Sequence, residues 1–107
     1  MPSSSSEDLS PGQATIEVII SGRVQKVGFR ACVRKIANNL GITGEIMNLD
    51  DGRVLLYATA EPVILEKFTS MLYSCPRAIV RDIRVVEREP LAFSGFSIER
   101  GMHQYAT

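Results

Sequence analysis

The most informative absences in this sequence concern net charge and long apolar runs. Twelve basic and twelve acidic side chains cancel, so the molecule has no long-range field that would attract nucleic acid or an anionic membrane. No apolar run is long enough to cross a bilayer, and the N-terminus lacks the basic and apolar regions of a signal peptide. We therefore expect a cytoplasmic protein that binds neither nucleic acid nor membranes, and any anion site must be local.

Histidine and cysteine are also scarce. The chain has one histidine, His103, and two cysteines, Cys32 and Cys75, and no cluster of His, Cys or carboxylate residues has the spacing of a metal site. Both cysteines fall on apolar faces of predicted helices, where we expect buried reduced thiols rather than a disulfide or a metal site. The sequence thus predicts neither a metal ion nor another cofactor.

The length of 107 residues and the 45% share of hydrophobic residues are typical of one globular domain. Residues 1–13 are rich in serine and contain proline and glycine, so we expect a disordered tail there. Residues 14–100 then form the folded domain, and residues 101–107 form a C-terminal extension with no assigned role.

Hydrophobic periodicity divides the folded part into strands and helices. Alternation of β-branched residues with polar ones predicts strands, whereas apolar residues at i, i+3, i+4 and i+7 predict two helices. Gly41 suits the end of the first helix, and Asp51-Gly52 predicts a hairpin turn. The predicted strands are 14–22, 42–49, 54–58, 79–87 and 96–98, and the predicted helices are 29–40 and 62–75.

This β-α-β-β-α-β order, with a short fifth strand, is that of the ferredoxin-like α+β sandwich. Such a split β-α-β fold has an antiparallel-type sheet with two helices packed on one face. The fold class is therefore predicted from the order of the elements.

The connection from the first strand into the first helix reads SGRVQKVGFR, residues 21–30. A strand-to-helix turn with glycines lets backbone amides converge, and the helix N-terminus behind it adds partial positive charge. No acidic residue occurs between Val18 and Gly44. The basic residues of this stretch are Arg23, Lys26, Arg30, Arg34 and Lys35.

Arg30 is the notable cation of this stretch because it falls in the first turn of the predicted helix. The interaction of a cation at this position with the helix dipole is slightly unfavourable, unless its guanidinium donates hydrogen bonds to the oxygens of a bound phosphate. The alternative interpretation is that the glycines only make the turn and the basic side chains are solvated.

The residues GRVQKVGFR, Gly41, the strand GEIMN and the DG turn after it resemble the acylphosphatase family. The resemblance spans about residues 14–100 and implies a metal-independent hydrolase that cleaves acyl phosphates into a carboxylate and inorganic phosphate. It also implies two catalytic residues, since Arg30 corresponds to the arginine that binds phosphate and Asn48 to the asparagine that orients the attacking water. The implied phosphate-binding loop comprises Arg23, Val24, Gln25, Lys26, Val27, Gly28 and Phe29. We expect a monomer.

The chemistry of an acyl phosphate is consistent with so small a set of residues. Its carboxylate leaving group has a low pKa and needs no general acid, so catalysis reduces to orienting water and stabilising phosphoryl charge. A carboxamide at Asn48 can accept a hydrogen bond from water without repelling an anionic substrate. Without the loop, Asn48 would be interpreted as an ordinary hairpin-end asparagine.

Three residues depart from the family pattern. Lys26 stands where the family commonly has glycine, so we expect either a strained backbone or a different loop path, although its ammonium could add a phosphate contact. Glu45 stands where many members carry tryptophan, and Met47 where a basic residue is frequent. These last two bear on substrate preference.

Two other classes of function remain open at this point. A phosphate-binding regulatory module without turnover would keep the loop. The departure from the family pattern at Lys26 favours this hypothesis. An RNA-binding domain shares the topology but needs stacking aromatic side chains on a central strand, where RVLLYATA offers only Tyr57.

Overall fold

The computed structural model describes residues 12–100. The tail expected at residues 1–13 lies outside the described residues except for Gly12 and Gln13, and the extension at 101–107, with His103, lies wholly outside them. No helix within the described range is long and apolar enough to span a membrane.

The chain folds in the predicted order of strands and helices. Each boundary lies within a few residues of its prediction, except at the end of the second helix. The strands are β1 (Ala14–Arg23), β2 (Thr43–Asn48), β3 (Val54–Ala60), β4 (Ile79–Arg88) and β5 (Phe96–Glu99), and the helices are α1 (Phe29–Leu40) and α2 (Pro62–Met71), with a short 3-10 turn at Leu72–Ser74.

The five strands form one sheet in the order β4-β1-β3-β2-β5. The predicted antiparallel arrangement is confirmed for β1 to β4, whereas β5 runs parallel to β2. The difference arises because β4 and β5 lie at opposite edges, and the chain reverses direction while it crosses the sheet between them. The fold is the predicted ferredoxin-like α+β sandwich with an additional edge strand.

The core lies between one face of this sheet and the two helices. Along β1, Val18 and Ile20 face the helices and are fully buried, as are Val33 of α1 and Phe68 of α2. Side chains alternate between the faces of a strand, so every second residue of β1 joins this core. The face that carries the helices also determines which side chains can reach a site at the start of α1.

The two helices end differently. α1 ends as predicted, because Gly41 has a φ of 72° and donates its amide to the Asn38 carbonyl at 3.2 Å. α2 is shorter than predicted and tightens into the 3-10 turn at Leu72–Ser74. The hydroxyl of Ser74 donates to the Met71 carbonyl at 2.6 Å, a local hydrogen bond that competes with the regular helical pattern.

Cys32 of α1 and Cys75, which follows the 3-10 turn, form a disulfide bond with their Cα atoms 6.0 Å apart. The expectation of two reduced thiols is therefore wrong. The two cysteines are 43 residues apart in sequence, and they meet because α1 packs against α2. Pro76 contributes to this placement, since Cys75 before it adopts the extended conformation that residues preceding proline prefer.

The opposite face of the sheet is crossed by the connection between β4 and β5. The hydroxyls of Thr15 and Thr59, both buried, lie 2.6 Å apart on this face. The Thr59 hydroxyl donates to the Leu91 carbonyl and the Leu91 amide donates to the Thr15 hydroxyl, both at 2.8 Å. These hydrogen bonds fix the crossing segment against the middle of the sheet.

Candidate active site

The loop between β1 and α1 has two residues in the left-handed region. Lys26 has a φ of 64° and Gly28, the N-cap of α1, has a φ of 75°. A Cβ added to Gly28 would meet no atom within 4 Å, so glycine is favoured there by backbone conformation and not by lack of space. Left-handed residues in such a turn bend the chain so that successive amides point to one side.

We call residues 24–31 the cradle, because their backbone amides are largely free. Within residues 12–100, no amide from 25 to 31 donates a hydrogen bond to a protein acceptor, and the first helical bond is that from Cys32 to the Gly28 carbonyl at 3.1 Å. In the described part of the chain no side chain caps α1, and the first turn of α1 contains no acidic residue. Unpaired amides at a helix start form a site for an anion.

A cavity of about 230 Å³ opens onto the cradle, and its charged lining residues are Lys26, Arg30 and Arg100. Arg30 is half-buried. The ion pairs within the described residues are Asp51–Arg53 and Glu17–Arg88, so none of the three lining cations is paired there. The volume is below that of clefts for drug-sized ligands, roughly 300 to 1,000 Å³, and it suits a small anionic group.

Asn48 ends β2 on the face of the sheet that carries the helices. It alternates with the fully buried core residue Ile46, and so it lies on the same side as α1. Its Oδ1 atom is buried and accepts no hydrogen bond from the described part of the chain. A buried acceptor without a donor is unfavourable, so this oxygen is suited to bind a water molecule.

Gln25 connects the cradle to the turn that follows Asn48. Its side-chain amide donates to the carbonyls of Leu49 and Arg53 at 2.8 and 2.9 Å. The sequence prediction placed Gln25 in the phosphate-binding loop, and its backbone amide is in the free run, but its side chain points to the hairpin. Gln25 therefore holds the two parts of the site at a fixed separation.

The same turn is stabilised by Asp51. Its carboxylate accepts hydrogen bonds from the Arg53 side chain and amide at 2.9 and 3.1 Å. These hydrogen bonds hold the pKa of Asp51 below its ordinary value. The turn that Gln25 contacts is thus locally well defined.

The other residues predicted for the site contribute unequally. Val24 and Phe29 are about 1% exposed, so their side chains belong to the core and anchor the cradle. Arg23 is exposed and pairs with Ile79 of β4, outside the cavity. Val27 lines a neighbouring cavity. The predicted residues that the structure brings together around the cavity at the cradle are Val24, Lys26, Gly28, Phe29 and Arg30.

Glu45 and Met47 lie on the face of the sheet away from the cradle. They alternate with Ile46, which faces the helices. Partial burial, together with the neighbouring Glu99, raises the pKa of Glu45 above its ordinary value. The two departures from the family pattern are therefore not adjacent to the phosphate-binding loop.

Arg100 is a lining residue that the sequence did not single out. Met47 and Glu99 pair in the parallel β2–β5 ladder, so Asn48 and Arg100 follow at the same end of the sheet. The sequence does show a cation directly after the last strand. This cation can be assigned to the site only when β5 is known to run parallel to β2.

A model of the acylphosphatase family matches residues 16–98, a span that contains the cradle and Asn48. The chain belongs to the acylphosphatase family. The resemblance noted in the sequence is confirmed.

Acylphosphatases from several organisms show how far the similarity extends. The chain is 43% identical to the acylphosphatase of Archaeoglobus fulgidus over 84 residues, which cover 78% of this chain and 94% of that protein. It is 40% identical to the acylphosphatase of Solibacter usitatus over 88 residues, covering 82% and 88%. The solved acylphosphatase of Coxiella burnetii superposes with a TM-score of 0.79 at 33% identity, covering 85% of this chain and 100% of that one.

Proposed function

We propose that this chain hydrolyses acyl phosphates to a carboxylate and inorganic phosphate without a metal ion. One observation carries the proposal: the amides of residues 25–31 lack protein acceptors within the described range and lie beside Arg30. Among residues 12–100, no carboxylate lines the cavity in front of them. The family relationship supports the same reaction.

The cradle would bind the phosphoryl group. Its amides donate to the phosphoryl oxygens, and the Arg30 guanidinium offers a planar pair of donors for two of them. These donors are fixed before the substrate arrives, so they stabilise the charge that develops on the oxygens without reorganisation. The loop from Arg23 to Phe29 acts mainly through its backbone, with Val24 and Phe29 as apolar anchors.

Asn48 would supply the second part of the mechanism by orienting water. Its buried Oδ1 accepts a hydrogen bond from the attacking water, whose oxygen forms a bond to phosphorus. The bond from phosphorus to the acyl oxygen breaks, and the carboxylate leaves with the electron pair. The proton of the water passes to solvent, since a carboxylate leaving group needs no general acid.

The direct test is hydrolysis of benzoyl phosphate by the purified protein. We expect turnover that is unchanged in excess EDTA and is inhibited competitively by inorganic phosphate. Within the described residues no group of three or more His, Cys, Asp or Glu side chains could hold a metal. Activity that disappears with EDTA would contradict the mechanism, and absence of hydrolysis would contradict the function.

A phosphate-binding module without turnover is the second candidate. It is favoured by Lys26, because a left-handed backbone is unfavourable for a residue with a side chain and can aim the neighbouring amides less well at a transition state. Such a module would bind inorganic phosphate but hydrolyse benzoyl phosphate no faster than an Asn48→Ala variant. The same assay therefore separates the two candidates.

We propose further that the protein acts as a cytoplasmic monomer on small acyl phosphates and binds neither nucleic acid nor membranes. The zero net charge supports the last point. In the cytoplasm thiols are kept reduced, so the Cys32–Cys75 bond would be subject to reduction there.

A further inference from the structure

The segment 75–80, which leads into β4, holds the first end of the cradle. Arg23, directly before the cradle, pairs with Ile79. Gly22 packs so closely on the same strand that an added Cβ would lie 2.1 Å from the Ile79 carbonyl oxygen. This end is therefore fixed by strand pairing.

The second end of the cradle is held to the same segment by the disulfide. Cys32 lies one helical turn beyond Gly28 and donates its amide to the Gly28 carbonyl at 3.1 Å. Its side chain is bonded to Cys75, which is 3% exposed and packed in the core. Among residues 12–100, no hydrogen bond joins residues 75–78 to the cradle or to Cys32, so the disulfide is the directional link at this end.

We propose that the Cys32–Cys75 disulfide positions the cradle, so that the affinity of the enzyme for phosphate depends on its redox state. The proposal rests on the proposed function of the cradle as a phosphate site. Cys32 and Cys75 are positioning residues, because they act on the ligand through the backbone amides and do not touch it. The amides of residues 25–28 and 29–31 must converge on one phosphoryl group, and the bond limits how far the two sets can separate.

Reduction of the bond is chemically accessible from one side. A cavity of about 230 Å³ is lined by Gly28, Cys32 and Arg77, so a thiolate has a path to Cys32 there, beside a cation. A dithiol reductant attacks Cys32 Sγ, which breaks the bond and releases the Cys75 thiolate. The second sulfur of the reductant then displaces Cys32 and closes a cyclic disulfide. The two electrons and two protons pass from the dithiol to the two cysteines.

Reduction of the disulfide should change the affinity for phosphate more than the rate of the chemical step. After reduction no covalent or hydrogen bond within the described residues joins the start of α1 to residues 75–78, so we expect the dissociation constant for inorganic phosphate to rise about threefold to tenfold. KM for benzoyl phosphate should rise in parallel. kcat should change less than about twofold, because Asn48 is tied to the other side of the cradle through Gln25 and Leu49.

The experiment compares the oxidised protein, the protein reduced with dithiothreitol, and a Cys32→Ser/Cys75→Ser double variant. Thiol titration establishes the redox state, circular dichroism establishes the fold, and calorimetry measures the dissociation constant for inorganic phosphate. Benzoyl phosphate hydrolysis gives kcat and KM. The double variant should match the reduced protein and should not respond to dithiothreitol.

Gly41→Ala serves as the control for general loosening of α1. It disturbs the far end of the same helix, where Gly41 has a φ of 72°, and leaves the disulfide intact. We expect it to keep the phosphate affinity of the oxidised protein and the full response to reduction. An equal loss of phosphate affinity in this variant would overturn the proposal.

Unchanged phosphate affinity in protein with two titrated thiols would also overturn it. Loss of the helical signal on reduction would do the same, because the bond would then maintain the whole fold and not the cradle. If phosphate affinity shifts with redox state but neither form hydrolyses benzoyl phosphate, the positioning role stands and the proposed hydrolytic function fails.

Discussion

The two helix starts of this domain are built in opposite ways. α1 begins at Phe29, after its N-cap Gly28, with free amides and carries Arg30 in its first turn. α2 begins after Glu61, where Pro62 has no amide hydrogen and the amides of Ile64 and Leu65 both donate to the Glu61 carbonyl, at 2.9 and 3.0 Å. The first start therefore leaves the amides of residues 29–31 open to an anion, whereas at the second only the Val63 amide lacks an acceptor among the described residues.

The cavities beside the two starts differ in charge more than in size. The cavity at α2 has a volume of about 210 Å³ and contains Glu66 and Glu87 among mostly apolar side chains. The cavity at α1 has about 230 Å³ and contains Lys26, Arg30 and Arg100. Volume alone would not separate them, so the unsatisfied donors and the sign of the charge identify the anion site.

We expect the largest effect from a substitution that removes the Arg30 cation from the start of α1. Arg30→Ala should lower kcat/KM for benzoyl phosphate by about a hundredfold or more and weaken inhibition by phosphate, because a charge-assisted pair of hydrogen bonds is lost. Arg34→Ala, one turn further along α1 and exposed, should change both values little. Equal phosphate inhibition in wild type and Arg30→Ala would refute the role of Arg30.

Asn48→Ala tests whether binding and water orientation are separate. We expect kcat to fall about a hundredfold, while the inhibition constant for phosphate stays within about twofold, since Asn48 does not contact the phosphoryl oxygens in the proposed mechanism. Asn39→Ala, an exposed asparagine on α1, is the control in the same steady-state assay. A loss of phosphate affinity as large as that of Arg30→Ala would place Asn48 in the binding site instead.

Gly28→Ala and Gly41→Ala form a matched pair at the two ends of α1. Both glycines have φ near 70° and open space around an added Cβ, so each substitution should lower the free energy of unfolding by about 1 kcal/mol. Denaturant titration measures this loss. Only Gly28→Ala should weaken phosphate binding, because only it redirects cradle amides; equal binding in the two variants would argue against the cradle.

Lys26→Gly and Arg77→Gly form a second pair, since both residues are exposed and left-handed, with φ of 64° and 71°. Each change should relieve backbone strain and raise the free energy of unfolding by less than about 1 kcal/mol. Only Lys26→Gly should also raise kcat/KM, with little change in its dependence on salt. A fall in kcat/KM with a shallower salt dependence would show that the Lys26 ammonium contacts phosphate directly.

The smallest expected effect is a pH-dependent one away from the cradle. Because the pKa of Glu45 is raised, its ionisation is less favourable in the folded state, and stability falls as pH rises from its ordinary pKa through the raised value. Glu45→Gln should therefore raise the free energy of unfolding at pH 7 by no more than about 0.5 kcal/mol and leave it unchanged at pH 3. A gain of equal size at both pH values would exclude this cause, and phosphate affinity should not change.

Local signals in the sequence predicted most of the fold. The apolar period from Phe29 to Leu40 followed by Gly41 predicted α1 and its end, and Asp51-Gly52 predicted the turn between β2 and β3. These features depend on residues close together in the chain. The parallel direction of β5 and the pairing of Cys32 with Cys75 were not predicted, because both depend on which distant segments pack together.

The residues of the candidate site also fall into those that local motifs predicted and those that depend on distant segments. Arg30, Asn48 and the loop were named from their motifs, and the structure adds the free amides and the buried Asn48 oxygen that give those residues a physical basis. The side-chain target of Gln25 and the approach of Arg100 could not be predicted. Each requires the position of an element that is remote in sequence.

The disulfide also closes a covalent ring that contains β2, β3 and α2. The cysteines are 43 residues apart, for which chain entropy gives a stabilisation of about 4 kcal/mol over the open chain. Asn48 lies inside this ring, whereas Arg30 lies two residues before it. A cut by trypsin after Arg53 would therefore leave two fragments that separate on a gel only after reduction, and β3 and α2 would remain tethered to the helix that carries Arg30.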